Sequence, residues 1–296
     1  MNKPLCLALF LASLAYGETP ILQFKPDTEI QDGTLVEVSG ATGATAKIVK
    51  QGFNAKVAVA QTDPVQKVEV LKEPSMDGAF FLRVTRDPLA QACGIVLTPA
   101  STATSFAALS PLGGDGIPRP SGTIDAFVRC NSLVKSGDLA LFDLGQHGGL
   151  RLSVGSGQPL QGMVASLQAL SPEKRIDSDL DGTPDTLQIS AVSKDHPLQP
   201  DTIYHLAVTL ETDAEGVTTL RLYQREGTGP IDTAQTTNLV AQTHGRLLGK
   251  FEGGFPETPI RLGLFGTGKR DFTAIQDFAA LRLYQGIPAV LPGLRD

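Results

Sequence analysis

Apolar side chains in this chain recur at every second position in many brief runs, and no window longer than a dozen residues carries the 3.6-residue period of an amphipathic helix. Thr123 to Cys130 is the clearest run: Ile124, Ala126, Val128 and Cys130 fall on one face, and Thr123, Asp125, Phe127 and Arg129 on the other. That is the period of a strand with one buried side. Similar windows are Ile21 to Phe24, Thr34 to Val38, Lys56 to Ala60, Lys67 to Leu71, Ala79 to Val84, Gly94 to Leu97, Leu139 to Leu144 and Leu150 to Val154. They continue with Met163 to Leu170, Thr186 to Val192, Ile203 to Leu210, Val217 to Tyr223, Ile260 to Phe265 and Phe278 to Tyr284. Between them stand turns such as Gly113-Gly114-Asp115-Gly116, Glu215-Gly216 and Gly253-Gly254. Many short strands joined by Gly- and Pro-bearing turns predict an all-β chain, either two stacked antiparallel sheets or a barrel.

Residues 1–17 have the pattern of a secretory signal: Lys3 opens it, Leu5 to Tyr16 is apolar to small, and Ala15-Tyr16-Gly17 offers small residues for cleavage. A buried N-terminal strand or helix is the other reading. The run is shorter than the roughly 20 residues that cross a bilayer, and no later window matches that length. The pattern predicts a secreted, periplasmic or cell-surface protein with one sandwich domain over residues 18–290. An N-terminal β unit over 18–75 could stand apart, with its boundary near Pro74 to Asp77, and residues 291–296 form a C-terminal tail. The 25 Lys and Arg against 31 Asp and Glu give a formal charge of −6, which disfavours nucleic acid and anionic membrane as partners. Of the three cysteines, Cys6 lies in the leader; Cys93 and Cys130 can form one disulfide in an exported chain, or remain two buried thiols.

Three segments, in order, resemble the laminin G-like jelly roll of the concanavalin A-like superfamily. The first is Gly122-Thr-Ile-Asp-Ala-Phe-Val-Arg-Cys130. The second is Thr202-Ile-Tyr-His-Leu-Ala-Val-Thr-Leu210, a turn, and Thr219-Leu-Arg-Leu-Tyr223. The third is Ile260-Arg-Leu-Gly-Leu-Phe-Gly266 with Asp277-Phe-Ala-Ala-Leu-Arg-Leu-Tyr284, similar to the family's closing strands. Weaker likeness reaches back to Ile21 to Phe24 and Asp32 to Val36. The resemblance implies a concanavalin A-like β-sandwich that meets a glycan or an extracellular or envelope protein at its rim. Family members commonly carry Trp in the first two segments; this chain has none, and Phe127 and Ile203 stand there.

Asp177-Ser-Asp-Leu-Asp-Gly-Thr-Pro-Asp185 is the sharpest local motif. Alternating carboxylates at Asp177, Asp179 and Asp181, with Asp185, can aim oxygens at one hard cation, and Gly182 permits the turn. The spacing matches the first half of an EF-hand loop, but its twelfth position is Gln188 rather than a bidentate Glu. It is closer to the Asp-rich calcium repeat of thrombospondin type 3, present once. Ca²⁺ is therefore the expected cofactor, and a solvated acidic turn the alternative. Glu211-Thr-Asp-Ala-Glu215 has the spacing of the paired carboxylates of laminarinase-type glycoside hydrolases, yet it runs into Gly216, so a hairpin tip is the expected outcome. The histidines His147, His196, His205 and His244 show no zinc spacing, and there is no Gly-x-Ser-x-Gly elbow. His205 is expected to be a strand residue with a satisfied hydrogen bond.

These residues point to a non-catalytic binding module, with a hydrolase or an adhesive envelope component as alternatives. Calorimetric titration with Ca²⁺ is expected to give a dissociation constant on the order of 10⁻⁴ to 10⁻³ M, abolished in an Asp179→Ala, Asp181→Ala variant. Absence of both heat and thermal shift at millimolar calcium would retire the site.

Overall fold

A computed structural model describes residues 19–30, 37–51, 67–73, 78–86, 92–109, 119–130, 139–143, 149–154, 163–168, 188–246, 260–262 and 274–296. The strands are β1 (Leu22–Phe24), β2 (Glu37–Val38), β3 (Ala41–Thr42), β4 (Ala44–Gln51), β5 (Lys67–Glu73), β6 (Ala79–Arg86) and β7 (Ala92–Pro99). They continue as β8 (Ser121–Cys130), β9 (Leu139–Asp143), β10 (Gly149–Val154), β11 (Met163–Gln168), β12 (Gln188–Val192) and β13 (Ile203–Thr212). The last are β14 (Val217–Glu226), β15 (Ile231–Asp232), β16 (Leu239–Arg246), β17 (Ile260–Leu262), β18 (Ala274–Gln285) and β19 (Val290–Leu291). Two short 3₁₀ turns, Thr102–Thr104 and Phe106–Leu109, are the helical elements among the described residues.

The strands form an antiparallel β-sandwich. A nine-stranded sheet runs β16-β14-β13-β8-β18-β1-β3, with β6 also paired to β18 and β5 to β6; an eight-stranded sheet runs β12-β11-β10-β9-β17-β7-β4-β2. Ile124, Ala126 and Val128 of β8 and Leu206, Val208 and Leu210 of β13 pack against Ile48, Ile95, Leu97, Leu152, Ile260 and Leu262 of the facing sheet in one buried cluster. Alternate residues of β8 and β13 therefore reach one interior, as the alternation predicts.

The seam between β8 and β18 contains a register shift between Phe278 and Ala280. The extra residue matters for packing. Strict alternation from Phe278 would turn Leu281 and Leu283 outward; the bulge resets the phase, so all three enter the core. The other edge of β18 is shared by β6, from Ala274 to Phe278, and β1, from Leu281 to Leu283.

Residues of the expected N-terminal unit are divided between the sheets: β1 and β3 join the nine-stranded sheet, β2 and β4 the eight-stranded one, and β5 extends from β6. The chain crosses between layers at Gly40, whose φ of +89° suits glycine and where a Cβ would lie 1.9 Å from the Lys25 carbonyl oxygen.

One expectation needs correction. The alternation predicts one buried side for β8, yet Thr123, Asp125 and Phe127 on the opposite side are fully buried as well. They lie on the outer face of the nine-stranded sheet, which two further segments cover. The β15–β19 ribbon joins residues 227–239 to the C-terminal segment; Ile231 and Leu291 pack on Ala207, Tyr223 and Tyr284, while Leu294 packs with Phe81 and Phe127. Residues 291–296 are thus a packed strap, further held by a 2.6 Å hydrogen bond from Lys25 Nζ to the Leu294 carbonyl. Replacing Leu206 by Ala at the middle of β13 is expected to cost about 2–5 kcal/mol in urea unfolding, the range for a buried Leu that leaves a cavity.

Candidate functional site

Among the described residues, the outer face under the strap carries the buried charges Asp125, Asp277 and Arg282. Asp125 on β8 is the direct cross-strand partner of Arg282 on β18, and Ala207 on β13 stands on its other side. The small Ala207 side chain lets His205, two residues away along β13, reach diagonally to the same carboxylate. Arg282 donates through Nε to Asp125 Oδ1 at 3.0 Å and Oδ2 at 3.1 Å, and through Nη2 to Oδ2. His205 Nε2 lies 2.8 Å from Asp125 Oδ2, and its Nδ1 lies 2.8 Å from the Gly229 carbonyl oxygen. The imidazole stacks on Phe127 at 4.1 Å between centroids, and the Arg282 guanidinium covers the same ring at 5.3 Å.

Arg282 also fastens the strap, donating to the carbonyls of Pro292 at 2.6 Å and Gly293 at 3.3 Å. Burial works to lower its pKa, but the hydrogen bonds and charge of Asp125 outweigh that and hold it above the ordinary arginine value. Tyr284 beside it is pushed up, first by burial and then by the Asp125 charge.

A second ionic group occupies the other end of the same seam. Asp277 is buried and accepts a bidentate pair from Arg83, at 2.8 and 2.9 Å, and further bonds from Arg129 Nε at 2.8 Å and Nη2 at 2.7 Å. Both guanidinium groups lie over the Phe81 ring, at 5.1 and 5.5 Å. Neither Asp125 nor Asp277 stands out as a site in the sequence. The available signal was a charged residue at alternate positions of an otherwise apolar strand; the partners are set by register alone.

The residues singled out from the sequence fall elsewhere. Asp177, Asp179, Asp181 and Asp185 lie outside the described residues, as do residues 1–17 and His147. Among the described residues no three His, Cys, Asp or Glu side chains form a metal site. Cys130 is a buried free thiol, pushed up to about 12 by burial and by the Asp277 charge. Cys93 has its backbone on β7 opposite Lys50, and its side chain lies outside the described residues.

Glu211, Asp213 and Glu215 are separated by the hairpin between β13 and β14. Glu211 is an exposed strand residue 3.1 Å from Arg221 Nη1. Asp213 caps the turn by accepting the Val217 N–H at 2.8 Å, and Glu215 sits in the turn beside Gly216, whose φ is +80°. His205 is buried and its two ring nitrogens are occupied by Asp125 and Gly229, so neither is directed at a nucleophile; His196 and His244 are exposed.

An open cleft lies at the sandwich rim, where the chain passes between the sheets from β2 through β3 to β4, lined by residues 37–41 and 44–46. Close by, Asp27 accepts hydrogen bonds from Ser39 and, at 3.0 Å, from Thr28, which hold its carboxyl below the usual range.

No protein-family model and no curated protein matches the sequence. Among solved structures, the chain is similar to botulinum neurotoxin type C, whose passage into cells depends on interaction with two ganglioside molecules, at 9% identity and a TM-score of 0.47. That likeness covers 88% of this chain and 48% of the toxin chain, so this chain spans about half the length of the neurotoxin structure. It is also similar to domain 4 of an extracellular arabinanase from Geobacillus stearothermophilus in complex with arabinotriose, at 10% identity and a TM-score of 0.49, over 92% of this chain and 95% of the other. A marine alginate lyase from Aplysia kurodai matches 72% of this chain and 86% of its own, at 8% identity and a TM-score of 0.43.

The two ionic groups predict unequal costs. Asp277→Ala, which leaves two arginines facing each other in a largely buried place, is expected to destabilise the fold by about 3–5 kcal/mol. Glu211→Ala, which removes an exposed pair, should cost no more than about 1 kcal/mol in the same denaturant titration.

Proposed function

We propose that this protein is an exported, non-catalytic binding module of the concanavalin A-like, laminin G-like kind, taking a glycan at the rim of the sandwich with Ca²⁺ held in the Asp177 to Asp185 loop. The observation that carries the reading is where open concavity and ionised groups fall. Among the described residues, the buried carboxylates Asp125 and Asp277 are met by arginine and histidine under the chain's own cover, whereas an open cleft lies at the β2–β4 rim.

A hydrolase of the laminarinase kind needs two carboxyl groups about 5–5.5 Å apart over a sugar-sized groove for retention, or about 6.5–9.5 Å apart for inversion. Glu211 and Glu215 lie instead on a strand edge and a turn, with Glu211 taken up by Arg221. Glycan as the ligand class rests on the family resemblance of the three strand segments; an extracellular or envelope protein is the second class that resemblance implies. Binding in a cleft of this kind would draw on polar side chains and backbone groups rather than on Trp, of which the chain has none.

A glycan array probed with the full chain in calcium and again in chelator is expected to give a restricted set of calcium-dependent hits. Reducing-sugar release from β-glucans, abolished by Glu211→Gln, would replace the binding reading by the hydrolase one. An empty array with co-purifying envelope proteins would replace it by an adhesive role.

A further inference from the structure

We propose that His205 is the pin of a proton-dependent clasp that fastens the 227–231 loop and the C-terminal strap to the outer face of the nine-stranded sheet. Its two ring nitrogens each lie 2.8 Å from an oxygen, the Gly229 carbonyl and Asp125 Oδ2. A backbone carbonyl can only accept. Asp125 receives three contacts from the Arg282 guanidinium, so both of its oxygens are already engaged as acceptors. A neutral imidazole has one N–H, and in this geometry its second nitrogen would present a lone pair to an oxygen lone pair in a place closed to water. Both contacts are made only when each nitrogen carries a proton.

The clasp closes through backbone groups. Thr228, next to Gly229, accepts the Leu294 N–H at 2.9 Å. Arg282, on the far side of Asp125, donates to Pro292 and Gly293 of the same strap. Loop and strap thus meet each other and are pinned from below by the two partners of a single carboxylate. The charged and titratable groups around the ring are Asp125 of β8, Arg282 and Tyr284 of β18, and Arg225, its cross-strand neighbour on β14, which donates to the Pro230 carbonyl. From the strap comes Asp296, whose carboxylate accepts the Gly293 N–H at 2.8 Å, and from beside β1 Lys25, bonded to the Leu294 carbonyl. Arg282 also donates to Asp125 Oδ2, the oxygen that faces His205 Nε2, whereas no second side-chain donor to the Gly229 oxygen is found among the described residues.

The sign follows from the hydrogen count. The unfolded chain makes neither contact, so the stabilisation that depends on the second ring proton is present at acid pH and is lost as pH rises and that proton leaves. Loss of the Gly229 contact removes one tether of a loop that the Gly227 N–H to Ile203 and Arg225 to Pro230 bonds still hold, and so loosens the acceptor of the Leu294 amide.

The test is imidazole nitrogen NMR of the full chain from about pH 5 to about pH 9, read beside hydrogen-exchange protection of the Leu294 amide. Both His205 nitrogens are expected in the protonated range at the acid end. Loss of one proton should coincide with a fall of about tenfold or more in Leu294 protection, corrected for intrinsic exchange. A His205→Gln variant should show low protection that no longer depends on pH, while His244→Gln, at an exposed position, keeps the wild-type profile. A singly protonated ring at the acid end overturns the proposal, and so does unchanged Leu294 protection while the ring loses its proton. Both readings come from the wild-type chain, so they stand if the His205 variant does not fold.

Discussion

Asp125 has no contact with solvent, and that single burial constrains much of what surrounds it. Taking a carboxylate out of water costs several kcal/mol unless its oxygens are met by donors and its charge by an opposite charge. Arg282 and His205 meet both needs, and they come from the two strands on either side of β8. Asp277 repeats the solution at the other end of the seam with Arg83 and Arg129. A slip of β18 by one residue against β8 would turn Asp277 and Arg282 toward the apolar interior and Phe278, Leu281 and Leu283 outward. The ionic groups and the hydrophobic core therefore enforce the same register, one by the high cost of error and the other by area.

The same charges explain how the sheet can have two covered faces. One face of the nine-stranded sheet packs on its partner sheet through aliphatic side chains. The other is roofed by the strap and the β15–β19 ribbon, with Leu291 and Leu294 filling gaps between aromatic rings and arginine donating to strap carbonyls. A strap without regular secondary structure over most of its length leaves carbonyls that need donors, and Arg282, Lys25 and the Thr228–Leu294 pair are part of the answer. An open cleft lies at the rim, where Gly40 lets the chain cross between layers.

Strands with strong alternation were legible in advance: β8, β13, β14 and β18 appear where Thr123 to Cys130, Ile203 to Leu210, Val217 to Tyr223 and Phe278 to Tyr284 predict them. β16 was not, because Leu239-Val-Ala-Gln-Thr-His-Gly-Arg246 has no apolar member after Ala241 and is a strand through its pairing with β14. β15 and β19 have two residues each, too few for any period to show. The hairpin tip at Glu215 was readable because Gly216 supplies the positive φ the turn requires. The clasp was not. Asp125 lies 80 residues from His205 and 157 from Arg282, and nothing local distinguishes a buried aspartate on a roofed sheet from a solvated one.

The sequence by itself determined that this chain pairs strands and stacks sheets, because an apolar residue at every second position has no other way to leave water. It also fixed the turns that glycine makes possible and the residue types from which a site can be built. Tertiary structure alone decided which face of the sheet is exposed, since a bulge at Phe278 and a roof of residues from the chain's end override the alternation there. It decided, too, which charges meet. Ion pairing depends on distance in space, and register across three strands brings together groups that the order of the chain keeps far apart.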